Sequence, residues 1–129
     1  MTNEFPALHI LLAEDNPEIA RLFTLLLKGR GCEVMTAVNG REALAMWERG
    51  SFDLILMDLK MPGMDGFEAA RSIRDRENPS RPRTPIVAMT AHIREDDQRR
   101  CDDAGMNGCV SKQAGVENLY DIVLRHIVE

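Results

Sequence analysis

Glu14 and Asp15, Asp58, Thr90 and Lys112 each stand at the end of a short stretch of strand character, four stretches in all. If those stretches are strands of one parallel sheet, three carboxylates, a hydroxyl and an ammonium meet at a single rim. Two carboxylates about 4 Å apart repel by roughly 4 kcal/mol at an effective dielectric near 20, so a cation belongs among them. A hard divalent ion answers this, and Mg²⁺ suits best because it keeps water and takes one or two carboxylates plus phosphate oxygens. Asp15 and Asp58 are the expected direct ligands, with Glu14 acting through water. A carboxylate beside Mg²⁺ can attack phosphorus to give an aspartyl phosphate. The metal and Lys112 would neutralise the equatorial oxygens of the transferring group, and the Thr90 hydroxyl could donate to it once attached.

Taken singly, these residues have plainer explanations. Adjacent acids such as Glu14 and Asp15 commonly sit at a helix start, where the helix dipole favours them. A Thr or Lys closing a strand is usually incidental. The weight lies in the joint arrangement, with the right groups in the right order at four strand ends.

The elements that would hold these groups follow from periodicity. The runs Leu8–Ala13, Leu54–Met57 and Pro85–Met89 are short and nearly continuous in apolar character, as strands covered on both faces are. Cys32–Ala37 reads as a more polar strand and Gly108–Ser111 as a short fifth one. Between them the period lengthens. Ile19, Leu22, Phe23 and Leu26 trace a helical face after Asn16-Pro17, and Gly29 or Gly31 closes that helix. Asn39 with Glu42 and Asp65 with Glu68 are capping pairs for a second helix to Arg49 and a third to about Arg76. The third carries Phe67, Ala70 and Ile73 inward. A weak fourth helix is expected from about His92 to Asp103, because eight of the ten residues Arg94–Asp103 are charged. Val116, Leu119, Tyr120, Val123 and Ile127 mark the inner face of a fifth, expected to run to Glu129. Five strands alternating with five helices specify an α/β doubly wound parallel sheet, expected in the flavodoxin-like order 2-1-3-4-5.

Bulk composition agrees with one domain over residues 1–129, with a short tail over about 1–7. The 129 residues, 44% hydrophobic and 29% charged, can bury a real core without staples. A net charge of -5, with basic clustering only near Arg81 and Arg83, argues against direct nucleic-acid binding. Three cysteines with no C-x-x-C pair suit free thiols in a reducing compartment, and no apolar run approaches the ~20 residues of a membrane span. A cytoplasmic location is expected, with no membrane partner. The proline-rich loop Asn78–Pro85 reads as a solvent loop. Zinc held by His92, Cys101 and Cys109 has no paired-ligand spacing behind it.

The motifs I-L-L-A-E-D-N-P at 10–17, M-D-L-K-M-P-G-M-D-G at 57–66, P-I-V-A-M-T-A-H at 85–92, A-G-M-N-G at 104–108 and S-K at 111–112 resemble the receiver domain of two-component response regulators. The resemblance covers essentially the whole chain, and its M-T-A-H wording, with Cys101 and A-G-M following, is similar to receivers of hybrid histidine kinases and phosphorelays. It implies that Asp58 is the phosphoacceptor, that Glu14 and Asp15 form the acidic pocket, and that Lys60 offers its backbone carbonyl to Mg²⁺. Thr90 and Lys112 take the switch and phosphoryl-contact roles, and Met61, Pro62, Gly63 and Gly66 shape the loop. The implied phosphodonor is a histidine kinase or a histidine phosphotransfer domain. A downstream protein partner is expected at the fourth helix, fifth strand and fifth helix.

Two positions depart from the family pattern. Cys109 stands where receivers usually carry Tyr or Phe, and Gln113 stands where proline usually follows the lysine, so a trans bond is expected there. The acceptor chemistry is intact, but the aromatic half of the usual switch is missing. Two rival readings stay in view: a phosphorylation-independent binding module on this scaffold, and an aspartyl-nucleophile phosphohydrolase of haloacid-dehalogenase type. The latter places a second Asp two residues after the nucleophile, where this chain has Lys60. His92 and Lys60, each two residues from a site group, are candidates for tuning attack by water.

Overall fold

The computed structural model describes residues 7–80 and 82–127. Most of the expected N-terminal tail, Arg81 and the last two residues lie outside the described residues. The order is β1 (His9–Ala13), α1 (Pro17–Lys28), β2 (Glu33–Ala37), α2 (Gly40–Arg49), β3 (Leu54–Asp58), α3 (Gly66–Arg76), β4 (Ile86–Thr90), α4 (Asp97–Asp103), β5 (Gly108–Ser111) and α5 (Lys112–Ile127). All strand pairs are parallel and the order is β2-β1-β3-β4-β5, as the alternation of periods predicts.

Strand alternation divides the core in two. Leu11, Ala13, Ile55, Met57, Ile86 and Ala88 point to the face covered by α2, α3 and α4. Ile10, Leu12, Leu54, Leu56, Val87 and Met89 point to the face covered by α1 and α5. β3 and β4 are buried at every position, which explains their continuous apolar runs. Edge strand β2 is mostly exposed and correspondingly polar.

Caps fix the helix starts. Asn16 accepts from the amides of Glu18 (2.9 Å) and Ile19 (3.1 Å), and Asn39 accepts from that of Glu42 (2.8 Å). Asp65 and Glu68 complete a reciprocal capping box. In α2 the Glu42 carboxylate reaches Val38 N–H instead (2.9 Å).

Three expectations need correction. In α1 the buried residues are Phe23 and Leu27, while Leu22 and Leu26 are exposed. Leu25, Leu26 and Leu27 are consecutive, so at 3.6 residues per turn they fan over more than half the helix and cannot all face the sheet. α4 starts at Asp97, not near His92, because the Asp97 carboxylate accepts from Arg94 N–H (2.7 Å) and ties the preceding segment into a turn. In α5, Val116 is exposed because the helix is interrupted at Asn118 (φ -140°, ψ 33°), which breaks the phase of its inner face.

Candidate phosphoryl and metal site

The sheet carries its chemistry to one rim through strand pairing. Glu14 leaves β1 with its amide still bonded to Ala37 carbonyl (2.9 Å), and Leu59, just past β3, donates to Met89 carbonyl (3.1 Å). These extensions hold Glu14 and Asp58 side by side. Gly66 lets the α3 start close against them, since a Cβ there would collide with the Asp58 carbonyl oxygen. Gly63 supplies the left-handed turn in the same loop (φ 76°).

Glu14, Asp58 and Thr90 are buried, and Asp15 is exposed at the mouth. Glu14, Asp15 and Asp58 each bring one carboxylate oxygen within 4.8 Å of the others, the sole such metal-competent cluster among the described residues. Lys112 Nζ bridges Glu14 Oε1 (2.9 Å) and Asp58 Oδ2 (3.2 Å). The remaining Glu14 oxygen accepts from Asn16 N–H (3.1 Å), and Asp58 Oδ1 accepts from Lys60 N–H (3.3 Å). Thr90 Oγ1 donates to His92 carbonyl (3.1 Å). A cavity of about 250 Å³ opens over this rim, with His92 and Arg94 along its edge.

Burial, and then the charge of Glu14, push the Asp58 carboxyl up to about 7, although Lys112 and the Lys60 amide pull the other way. Burial also opposes the Lys112 charge, but its hydrogen bond to Glu14 and the two carboxylates outweigh this and hold the ammonium above its ordinary range. One ammonium therefore undercompensates three carboxylates. The donor set fits a divalent, oxygen-loving ion: hard ligands, an unmet negative charge, and an exposed Asp15 leaving room for water.

Every side chain expected at the site is brought to this rim. Asn16, Ile19 and Arg94 also line it and were not anticipated. Arg94 carries a weak signal, a cation four residues after Thr90, hidden inside the stretch expected to be helical. His92, Cys101 and Cys109 form no metal-competent group among the described residues. No peptide bond there is cis, as expected with Gln113 after Lys112.

Fold and rim together define a parallel α/β domain built to take a phosphoryl group on a carboxylate beside a divalent cation. The family model for the response regulator receiver domain matches residues 10–124, and the chain belongs to that family. It is therefore a phosphoacceptor receiver domain. The chain is 36% identical over 121 residues to hybrid signal transduction histidine kinase L of Dictyostelium discoideum, covering 91% of this chain and 7% of that protein. It superimposes on the receiver domain of sensor histidine kinase PA1611 from Pseudomonas aeruginosa PAO1, a structure with magnesium coordinated in its active-site cleft. There the TM-score is 0.85 and the identity 36%, covering 96% of this chain and 100% of that one. A co-crystal structure of the Saccharomyces cerevisiae phosphotransfer protein Ypd1 with the receiver domain of Ssk1 matches with TM-score 0.86 and 30% identity, over 96% and 91% of the two chains. The chain spans between 6% and 22% of the length of the curated relatives it matches.

Proposed function

We propose that Asp58 is the phosphoacceptor, that Glu14, Asp15, Asp58 and the Lys60 carbonyl hold Mg²⁺, and that Lys112 and Thr90 contact the transferred group. The carrying observation is Lys112 Nζ bonded to both Glu14 and Asp58 in a buried, net-negative rim. A bound Mg²⁺ supplies the positive charge that keeps Asp58 ionised near neutral pH and offsets charge on the phosphoryl oxygens. An Asp58 Oδ then forms its bond to phosphorus as the donor's N–P bond breaks, and the imidazole leaves with the electron pair. Lys112 trades its bond to Asp58 for one to a phosphoryl oxygen. Thr90 gives up its bond to His92 carbonyl and turns inward, and phosphorylation thereby favours one of two positions of the β4–α4 segment.

The phosphodonor is a phosphohistidine on a histidine kinase or a histidine phosphotransfer domain, and the domain works in the cytoplasm. Among the described residues no helix is long and apolar enough to cross a membrane. Leu22, Leu25 and Leu26 of α1 form an exposed apolar strip leading from the site, which suits docking of the donor. The downstream partner takes the surface of α4, β5 and α5, where Thr90 movement is transmitted.

Intact mass after incubation with acetyl phosphate and Mg²⁺ tests the assignment. The wild type gains about 80 Da and Asp58→Asn gains nothing. An unmodified wild type, or an equal gain in the variant, removes Asp58 as acceptor. Multiple-turnover phosphate release from a small phosphomonoester would instead favour the phosphohydrolase reading.

A further inference from the structure

Two of the three thiols form a pair that the phosphoryl chemistry does not use. Cys101, on α4, has no solvent exposure, and Cys109, on β5, is half-buried against the same core cluster. Helix α4 packs against β5, so both thiols lie on the same face of the sheet, Cys101 inside the core cluster and Cys109 against it. The turn between them is pinned: Met106 N–H donates to Cys101 carbonyl (2.9 Å) and Asn107 N–H to Ile86 carbonyl (2.7 Å). Arg74 donates to both Gly105 carbonyl and Asn107 Oδ1, each at 2.8 Å. Cys32 belongs to the cluster on the opposite face of the sheet.

We propose that Cys101 and Cys109 are a modification site, a reversible dithiol–disulfide couple closed by a hydroperoxide, which staples α4 to β5. Cys109 is the half-exposed partner and the one an oxidant meets first. The neighbouring Cys101 thiol favours its thiolate, against burial and the charges of Asp97 and Asp102. The Cys109 sulfur attacks a peroxide oxygen, the O–O bond breaks, and the departing hydroxide takes the displaced thiol proton as water. Cys101 then attacks the resulting sulfenic sulfur. The S–O bond breaks and the leaving hydroxide carries off the Cys101 proton as a second water. Two thiols are oxidised and one hydrogen peroxide is reduced.

The consequence falls on α4. Its buried residues are Asp97 and Cys101 alone, so the disulfide turns its one apolar anchor into a covalent one. A helix free to shift with phosphorylation becomes fixed to the sheet edge.

The test uses the reduced full chain, treated with hydrogen peroxide, alkylated and digested with trypsin. Cleavage after Arg100 and Lys112 places both cysteines in one peptide, 101–112. That peptide is expected about 2 Da lighter and resistant to alkylation, with dithiothreitol reversing both changes. Cys109→Ala is expected to yield no lighter peptide. In the oxidised wild type, α4 amides are expected to exchange about tenfold more slowly. An unmodified peptide, Cys109 stopped about 32 Da heavier as sulfinic acid, or a bridge through Cys32 would overturn the couple, and unchanged α4 exchange would overturn the staple. None of these readouts depends on phosphorylation, so their failure leaves the assignment of Asp58 standing.

Discussion

The two rims of the sheet handle buried charge in opposite ways. At the rim opposite the site, the Arg74 guanidinium is only 11% exposed yet every direction is answered. Its Nη1 donates to Glu77 (2.9 and 3.0 Å) and Thr84 carbonyl (2.9 Å), its Nε to Gly105 carbonyl (2.8 Å), and its Nη2 to Asn107 (2.8 Å). Glu77 in turn accepts from Thr84 N–H (2.9 Å), and Asn107 Oδ1 accepts from Ile86 N–H (2.9 Å). This closed network ties α3, β4 and the α4–β5 turn together. At the site rim, Lys112 bonds two of three clustered carboxylates, and its single charge cannot balance them. One rim is complete as it stands, and the other is completed by what it binds.

The sharpest way to break this contrast is to open the closed rim. Arg74→Ala leaves largely buried Glu77 with only the more distant Arg83 (3.9 Å) as counter-charge and strands the Thr84 carbonyl, so it is expected to destabilise the fold by about 3 kcal/mol in urea unfolding. Lysine at the same position restores charge but not the fork that reaches four partners at once, and is expected to recover less than half of that loss. A loss under about 1 kcal/mol for Arg74→Ala would show that the network is ornamental.

Neutralising the open rim should act with the opposite sign. The folded Asp58 carboxyl is raised from 3.8 to about 7, so the folded state binds its proton more tightly than the unfolded chain does. Stability from this group is therefore full below the ordinary carboxylate range and falls as pH climbs through about 7. Asp58→Asn removes that penalty. Without metal at pH 8 the variant is expected to be more stable than wild type by about 2 kcal/mol, with the gap closing toward pH 4. A pH-independent gap would mean that packing, not charge, separates the two proteins.

Mg²⁺ gives the same comparison a smaller, ligand-driven form. At about ten times its Kd the ion is expected to stabilise wild type by roughly 1.4 kcal/mol, read as a rise in Tm. Asp58→Asn, with one carboxylate fewer, is expected to gain less than half as much. Equal gains would place the ion elsewhere.

The two rims also differ in how far sequence alone discloses them. Glu14, Asp15, Asp58, Thr90 and Lys112 were legible because strand ends converge by topology, and an acid after an apolar run marks its own place. The Arg74 network was not, since its partners at 77, 84, 105 and 107 are joined only by the closing of three separate loops. The Cys101–Cys109 contact escaped for the same reason: it needs the position of α4 on β5, which periodicity does not supply. Strand order followed from alternating periods, whereas the buried side of α1 did not, because a leucine-rich helix offers more than one apolar face.

That ambiguous helix supplies the smallest stability effect and a separate functional one. Leu25 is 60% exposed, so Leu25→Ala removes little buried surface and places a better helix former on the outside of α1. Its effect on folding is expected to stay within about 0.5 kcal/mol. If the Leu22, Leu25 and Leu26 strip seats the phosphodonor, transfer from a phosphorylated histidine phosphotransfer domain should slow by about tenfold, the loss of one apolar anchor. Labelling by acetyl phosphate, which needs only the rim, should be unchanged. The two donors thus separate docking from chemistry. Equal slowing with both would return Leu25 to the site's own support, and no slowing with either would leave the strip without a role in transfer.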